Sequence, residues 1–254
     1  MFIALDIGNS SINIGFYTSS GFFVQRINTY PVMSPLKYRA LMKELIEGKK
    51  INELPEGIII SSVVPSHTEV LIKAVRGIAD VEPVIASWKL KTGLTFNIPA
   101  PEELGSDRIA NAVAAYNLYK CPVAAVDFGT ATTISVVGQK ADYLGGAIIP
   151  GLRLMNESLA KGTYRLHEVH IIPSGPALGT GTIRCIQSGL LYGTAGAVER
   201  LLKEIEKETG FNFKVVVTGG YSALISKFMI RKHDLQPHLT LEGLKILHMR
   251  NADV

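Results

Sequence analysis

FIALDIGNSSINIGFY, residues 2–17, is the stretch that decides the fold, because its pattern returns as VAAVDFGTATTISVV at residues 123–137. Each stretch predicts an apolar strand, a turn made of an acid, a glycine and polar residues, and a second strand in which apolar and polar residues alternate. Aligning the two acids gives four pairs of equivalent positions: Asp6 with Asp127, Gly8 with Gly129, Asn9 with Thr130, and Ser11 with Thr132. The chain therefore contains one kind of hairpin twice, and each copy brings a carboxylate to a glycine turn.

Strand and helix patterns alternate around these hairpins. The predicted helices cover Leu36–Glu47, Glu69–Ile78, Ile109–Tyr119 and Gly193–Thr209, and the predicted strands cover Gly57–Val64 and Lys214–Thr218. The Lys120-Cys121-Pro122 step is expected to end the third helix, because the residue before a proline disfavours helical backbone. We therefore predict an α/β protein of two similar halves, residues 1–120 and 121–254, joined without a flexible linker.

The composition favours a globular protein over a nucleic-acid or membrane protein. Of 254 residues, 47% are hydrophobic and 19% are charged, which is enough to bury a substantial core. The net charge of +4 is spread along the chain without a dense basic run, so no nucleic-acid partner is expected. The start MFIALDIGNSS lacks a secretory leader, and no apolar run reaches the roughly 18 residues of a membrane span. We expect a cytoplasmic protein without a membrane partner.

The first hairpin turn has the residues that phosphate binding needs. Gly8 removes the Cβ that would keep a phosphate from the backbone, and Asn9 with the serines adds hydrogen-bond donors. The Asp6 carboxylate can orient Mg²⁺ through water. A single Asp-x-Gly-Asn turn also occurs in ordinary hairpins. The second copy at Asp127 favours a phosphate site.

A further group of reactive side chains is Gly105-Ser106-Asp107-Arg108, which is predicted to precede a helix. The Asp107 carboxylate could accept a proton from a substrate hydroxyl while the Arg108 guanidinium binds an anion. Alternatively, Asp107 caps the helix and Arg108 is solvated. The residues alone leave both interpretations open.

Two α/β halves that each open with an Asp-x-Gly hairpin resemble the duplicated ribonuclease H-like fold of actin-like kinases and ATPases. In that superfamily the ATP phosphates lie in a cleft between the two hairpins. An ordered set of motifs is moreover similar to type III pantothenate kinases over essentially the whole chain: Asp6-Ile7-Gly8-Asn9, Gly105-Ser106-Asp107-Arg108, Asp127-Phe128-Gly129-Thr130-Ala131-Thr132, Gly145-Gly146-Ala147-Ile148-Ile149-Pro150-Gly151 and Leu239-Thr240-Leu241-Glu242-Gly243-Leu244.

This resemblance implies a homodimer that uses ATP, Mg²⁺ and a monovalent cation, K⁺ or NH₄⁺, to phosphorylate pantothenate to 4'-phosphopantothenate, the first step of coenzyme A biosynthesis. It implies that Asp107 is the catalytic base and that Asp127 holds the monovalent cation. The ATP-binding residues that it implies are Asp6, Ile7, Gly8, Asn9, Ser10, Ser11, Ile12, Asn13, Thr130, Gly219 and Gly220. Those implied for pantothenate are Gly105, Ser106, Asp107, Arg108 and Thr182, the last of them across the dimer interface.

Three departures from the family pattern fall on the pantothenate side. Phe96 replaces a tyrosine, Gly181 replaces a basic residue, and Thr163-Tyr164-Arg165-Leu166-His167 replaces a segment with Thr-Ala and Leu-Pro. They leave open an actin-like kinase for another small hydroxyl substrate. The other alternative is a non-catalytic nucleotide-binding regulator of the same fold, which the presence of Asp107 disfavours.

Overall fold

The computed structural model describes residues 1–173 and 175–252. Backbone contacts divide the chain into two compact units. The first unit contains Met1–Leu94, Pro99–Ala114 and the chain from Thr240 onward, and the second contains Thr95–Ile98 and Ala115–Leu239. The boundary between two halves near Lys120 stays a prediction. The two units differ from those halves chiefly because the C-terminal helix belongs to the first unit.

Eleven strands and seven α-helices are defined among the described residues. The strands are β1 (Phe2–Ile7), β2 (Ser11–Thr18), β3 (Gly21–Asn28), β4 (Gly57–Ser62), β5 (Val84–Ile85), β6 (Thr95–Phe96), β7 (Val123–Phe128), β8 (Ala131–Val137), β9 (Asp142–Pro150), β10 (Lys214–Thr218) and β11 (Asp234–Leu235). The helices are α1 (Pro35–Gly48), α2 (Pro65–Arg76), α3 (Ser106–Tyr119), α4 (Leu152–Gly162), α5 (Thr182–Thr209), α6 (Ser222–Ile225) and α7 (Leu239–Asn251).

The first unit is built on a five-stranded sheet in the order β3-β2-β1-β4-β5. Strands β1, β2 and β3 pair antiparallel, and β4 and β5 continue the sheet parallel to β1. The middle strands are rich in isoleucine, as strands buried on both faces tend to be. Ile3, Leu5 and Ile58 of these strands pack in one core with Tyr38 of α1 and Leu71 of α2.

The second unit has a six-stranded sheet in the order β11-β10-β7-β8-β9-β6. Strands β7, β8 and β9 pair antiparallel, and β10 and β11 continue parallel to β7. Its core joins Val126 and Phe128 of β7 to Leu190, Val198 and Leu202 of the long helix α5.

The two sheets repeat one topology. If β7 to β11 are matched in order with β1 to β5, each sheet places its third strand beside its second, then the first, the fourth and the fifth. The same strands are antiparallel and parallel in both. Strand β6 is an addition at the edge of the second sheet, where it pairs with β9. The predicted duplicated ribonuclease H-like α/β fold is confirmed.

Several predicted boundaries shift. The strand Lys214–Thr218 has the predicted bounds, whereas α3 begins at Ser106 instead of Ile109, and α5 begins at Thr182 instead of Gly193. Ser106 and Asp107 therefore lie in the first turn of a helix. Among the helices that the structure describes, none is long and apolar enough to cross a membrane.

The hairpins also differ in length, which corrects one predicted equivalence. Asp6 lies opposite Asn13 in β2, whereas Asp127 lies opposite Thr133 in β8. The second hairpin loop is thus one residue shorter, and the equivalent of Ser11 is Ala131 instead of Thr132. A shift of one residue moves a side chain to the other face of a strand, so the alignment of the acids fails beyond the turn.

Candidate active site

The first hairpin turn is fixed by backbone hydrogen bonds and by a threonine from the end of β3. The Gly8 N–H donates to the Ser11 carbonyl oxygen over 3.0 Å. The fully buried Thr29 binds the turn twice: its N–H donates to Ser10 O at 3.3 Å and its hydroxyl to Gly8 O at 2.6 Å. His67 Nε2 in turn lies 2.6 Å from Thr29 O. The turn therefore has a defined shape before any ligand binds.

Asp6 is held by side chains from both neighbouring strands. Its carboxylate accepts hydrogen bonds of 3.3 Å from Asn13 Nδ2 of β2 and of 3.3 Å from Ser61 Oγ of β4. Both donors stand directly opposite Asp6 in the strand register. Asn13 was predicted as part of the phosphate loop. Ser61 was not predicted, because no local pattern reveals which residue of a parallel strand faces the acid.

The first turn of α3 continues this set of contacts. Ser106 Oγ lies 2.9 Å from Ser61 Oγ and accepts a hydrogen bond of 3.0 Å from the Ser62 N–H. Ser61 is inaccessible to solvent, and Ser106 is nearly so. Asp6 and the residue before Asp107 thus share a hydrogen-bonded neighbour.

Asp107 combines features of both interpretations that the sequence left open. Its Oδ1 accepts a hydrogen bond of 2.8 Å from the Arg108 N–H, which satisfies one free donor of the first helical turn. Burial raises the pKa of Asp107, while the Arg108 N–H and its charge lower it in part. A carboxyl with a raised pKa is a better proton acceptor once it is ionised. The side chain can therefore support the helix start and also act as a base.

Gly105 leaves the space in which the Asp107 carboxylate lies. A Cβ at position 105 would stand 2.5 Å from Asp107 Oδ1 and 3.8 Å from Val63 Cγ1. Any other residue at position 105 would displace the carboxylate. The glycine of the Gly-Ser-Asp-Arg motif therefore has a steric role.

In the second unit, two glycines crowd the Asp127 carboxylate. A Cβ at Gly129 would stand 3.2 Å from Asp127 Oδ1. A Cβ at Gly219, where φ is +93°, would overlap the same oxygen and stand 2.7 Å from the Phe128 backbone nitrogen. The turn is closed by a 3.1 Å hydrogen bond from Gly129 N to Ala131 O. Gly219 thus has a steric role beside Asp127, which complements its predicted place in the ATP site.

Thr130 and Gly220 complete the nucleotide residues predicted in this unit. The Thr130 carbonyl oxygen accepts a 3.1 Å hydrogen bond from Gly151 N, just before α4 begins. Gly220 follows Gly219 in the turn after β10. The structure brings Asp127, Thr130 and Gly219 together at one end of the second sheet.

The donor set is suited to metal ions that take most of their ligands from elsewhere. No cluster of three or more His, Cys, Asp or Glu side chains that could hold a metal occurs in residues 1–173 and 175–252. Mg²⁺ in phosphoryl-transfer enzymes is commonly bound by one or two carboxylates together with phosphates and waters. A single carboxylate such as Asp6, already oriented by Asn13 and Ser61, fits that pattern. Asp127 lies beside two positions without Cβ atoms, which leave the space that its carboxylate occupies.

The residues on the predicted pantothenate side lie in both units. Thr182 is the first residue of α5 and is exposed, and Gly181 precedes it. Phe96 lies in β6, where its ring centroid is 5.8 Å from that of Tyr143. Tyr164 is 98% exposed. Thr182 is therefore accessible in the single chain.

The duplicated topology and the paired acid-glycine turns define an actin-like protein. A Campylobacter jejuni protein whose name suggests a Baf family transcriptional activator has a similar structure, with a TM-score of 0.61, 17% identity and full coverage of both chains. The activator of 2-hydroxyisocaproyl-CoA dehydratase from Clostridium difficile, solved with ADPNP, has a TM-score of 0.55 and 12% identity, and the match covers 100% of this chain and 97% of that one. These likenesses concern the fold.

The sequence comparisons give the family. The model of type III pantothenate kinase matches residues 2–204. The type III pantothenate kinase of Moorella thermoacetica is 34% identical, and the match covers 99% of this chain and all of that protein. The enzyme of Anaeromyxobacter sp. is 35% identical with the same coverage. The chain belongs to the type III pantothenate kinase family, as its motifs indicated.

Proposed function

We propose that this protein transfers the γ-phosphoryl group of ATP to pantothenate and forms 4'-phosphopantothenate, the first step of coenzyme A biosynthesis. Membership of the family supports the reaction. The observation that carries the assignment of residues is the hydrogen-bonded link from Asp6 through Ser61 to Ser106, which joins a phosphate-type turn to the helix start that bears Asp107.

Asp107 is the proposed base. A primary hydroxyl does not ionise near neutral pH, so its attack on phosphorus benefits from a carboxylate that accepts the proton as the new O–P bond forms. The raised pKa of Asp107 brings its basicity closer to that need. The Asp107 oxygen that the Arg108 N–H does not occupy is the natural acceptor. The Arg108 guanidinium is the proposed partner of the pantothenate carboxylate.

The nucleotide is assigned to the two glycine turns. Backbone N–H groups and hydroxyls from Asp6 to Asn13 bind phosphate oxygens in this proposal, and Thr130 contributes from the second turn. Gly219 and Gly220 line the adenosine side. The two turns belong to different units, and their meeting across one cleft stays a prediction. Phosphoryl transfer depends mostly on positioning and charge neutralisation, which such turns supply.

The proposed metals follow from the resemblance to the family and from the carboxylates of the two hairpins. Asp6 would hold Mg²⁺, through water or directly, and Asp127 would hold K⁺ or NH₄⁺. When bound, such cations neutralise phosphate charge that develops in the transition state. Asn13 and Ser61 orient the Asp6 carboxylate for this task.

The proposed assembly is a homodimer that completes the pantothenate site through Thr182. Exposed apolar side chains near Thr182 in sequence support an interface: Leu178 is 78% exposed and Ile183 is 62% exposed. Sedimentation velocity tests this assignment. A monomer that is fully active at every concentration assayed would contradict it. A cytoplasmic location also stays a prediction.

A coupled ADP-release assay tests the function. The purified protein is given ATP, Mg²⁺ and K⁺ with pantothenate or with each of a panel of sugars, and the product is identified by mass spectrometry. We expect turnover with pantothenate and none with any of the sugars. Turnover with a sugar and none with pantothenate would favour the other actin-like kinase, for which Phe96 and Gly181 are the motivating departures. Nucleotide binding without turnover of any acceptor would favour the regulator.

A further inference from the structure

Two buried serines, Ser61 and Ser106, lie near Asp6, and the number of protons that each group can donate determines the direction of the hydrogen bonds between them. Ser61 Oγ lies 3.3 Å from Asp6 Oδ1 and 2.9 Å from Ser106 Oγ, and it has one hydroxyl proton. An ionised carboxylate can only accept, so the Ser61 proton points to Asp6. Ser106 must then donate to Ser61, and Ser106 accepts from the Ser62 N–H at 3.0 Å. One directed chain results, from the Ser62 backbone through both hydroxyls to the carboxylate.

This chain joins three separate elements of the first unit. Asp6 lies near the end of β1, Ser61 is opposite it in β4, and Ser106 opens α3. No covalent connection shorter than 44 residues joins the Ser62 strand end to the helix start. The side-chain contacts of Ser61 and Ser106 therefore help to fix the helix start against the strand ends.

We propose that Ser61 and Ser106 are positioning residues for phosphoryl transfer: their hydroxyls hold the Asp6 carboxylate and the helix start that bears Asp107 in a fixed relation. Ser61 acts in this proposal without touching a substrate, and Ser106 acts through Ser61 in addition to the contact with pantothenate that the family resemblance implies. Ser61 orients Asp6 by its donated hydrogen bond and anchors Ser106 by accepting one. The proposal rests on the proposed function, since it takes Asp6 as the metal-orienting group and Asp107 as the base.

Burial makes this link sensitive to the loss of one hydroxyl. Ser61 is 0% exposed and Ser106 is 8% exposed, so water cannot freely replace a missing partner. Without the Ser61 hydroxyl, Asp6 Oδ1 loses a hydrogen bond that orients the carboxylate. The Ser106 hydroxyl would turn to its other acceptor, Ser62 O at 3.4 Å. The carboxylate of Asp6 and the helix start that bears Asp107 would then no longer be joined through Ser61.

The central experiment compares Ser61→Ala with a matched loss of a buried hydroxyl elsewhere in the unit. Thr92 is 3% exposed, and its hydroxyl bonds only within its own turn, to Leu94, among the contacts described for the chain. We expect Ser61→Ala to lower kcat by about 10-fold to 100-fold, as misplaced catalytic groups do, with a smaller change in the KM for pantothenate. Half-maximal activity should need several times more Mg²⁺. Thr92→Val should keep normal kcat and Mg²⁺ dependence.

A double-mutant cycle separates a shared link from two independent effects. If both serines act through one chain, Ser61→Ala combined with Ser106→Ala should be no more than about twofold worse than Ser61→Ala alone. Ser106→Thr keeps the hydroxyl and should retain most of the activity that Ser106→Ala loses. A folded Ser61→Ala variant with kcat within about twofold of the parent, or single effects that multiply, would overturn the proposal.

Two further measurements test the link if Ser61→Ala does not fold or if the parent protein is inactive. If Ser61→Ala fails to fold by circular dichroism, the comparison of Ser106→Ala with Ser106→Thr decides: rescue by threonine supports the link and equal activity of both overturns it. If the parent protein has no activity with pantothenate, the proposed function fails, but the link is still tested by melting temperatures. Asp6→Asn and Ser61→Ala should then be non-additive, and additive shifts would overturn the link.

Discussion

The two hairpins have the same topology, but different residues surround their carboxylates. Asp6 is held by hydrogen bonds from Asn13 and Ser61. Asp127 lies against Gly129 and Gly219, where the absence of side chains leaves it space. Mg²⁺ in phosphoryl-transfer enzymes commonly takes one or two carboxylates from the protein, and the oriented carboxylate of Asp6 suits that pattern. The duplicated hairpin thus has different surroundings in its two copies, for which we propose different ions.

The strand register shows where the difference arises. Ser61 stands opposite Asp6 in β4, and Thr218 stands opposite Asp127 in β10. The next residue is Ser62 in the first unit and Gly219 in the second. Both units therefore place a hydroxyl residue opposite the acid. Only the second follows it with a glycine at positive φ, where another residue would overlap the acid.

The largest expected effect concerns Asp107, the proposed base. Asp107→Asn should lower turnover by about 10² to 10⁴, because the amide cannot accept the hydroxyl proton. ATP affinity, measured by calorimetry, should barely change. Glu82→Gln is the matched control, since it neutralises an exposed carboxylate in the same unit that pairs with Arg76. Near-normal turnover of a folded Asp107→Asn variant would mean that the proton leaves by another route.

Asp107→Asn should lower turnover but should not lower the stability of the folded protein at neutral pH. The pKa of Asp107 is raised by burial, so the folded state binds its proton more tightly than the unfolded chain does. That contribution to stability is present below the unfolded pKa and is lost as pH rises through the folded pKa. At neutral pH the ionised carboxylate therefore disfavours folding. Asp107→Asn should melt at the same or a higher temperature near pH 7, and a clearly lower melting temperature would give Asp107 a structural role.

The K⁺ and Mg²⁺ requirements of two variants test which ion each hairpin binds. Asp127→Asn should raise the K⁺ concentration needed for half-maximal activity by about 10-fold or more, because a neutral amide binds a cation less well. Asp6→Asn should instead raise the Mg²⁺ requirement. Glu204→Gln, which removes a half-buried negative charge from α5, serves as the control for net charge. Unchanged activity of Asp127→Asn in K⁺-free buffer would reject the cation site.

Glycine-to-alanine replacements test whether the absence of a side chain contributes more to stability beside the second hairpin than in the first. Gly219→Ala should lower the free energy of unfolding by roughly 1–3 kcal/mol, because an L-residue is strained at φ +93° and its Cβ overlaps Asp127. Gly8→Ala should change it by less than about 1 kcal/mol, since the nearest atom to its Cβ is Ser11 O at 3.2 Å. Urea denaturation measures both. Equal losses would remove the proposed distinction.

The smallest expected effect is on pH dependence. If Asp107 is the base, kcat/KM should fall on the acid side with an apparent pKa above the ordinary value of an aspartate, because burial raises the pKa of Asp107. The acid limb should disappear from the residual activity of Asp107→Asn. An acid limb that is identical in the two proteins would assign it to another group.

The sequence predicted both hairpins and the strand that continues each of them in its sheet, and less of the helix boundaries. The strand Lys214–Thr218 was predicted with its observed bounds, because a buried apolar run between turn residues is a local signal. Helix α5 begins eleven residues before the predicted start at Gly193. Gly189 and Gly193 weaken helix propensity locally. Burial of Ile186, Leu190 and Leu191 in the core stabilises the helix in spite of them.

By itself, the sequence determined that one acid-glycine hairpin occurs twice, that an Asp-Arg pair stands between the copies, and that the chain resembles one kinase family. These features are local patterns, so they can be read without knowing what packs against what. Only the tertiary structure decided that Ser61 faces Asp6, that Ser106 bonds to Ser61, and that Gly219 lies against Asp127. Each is a contact between residues more than forty positions apart, and such contacts depend on the register of parallel strands and the packing of a helix, which local sequence does not encode.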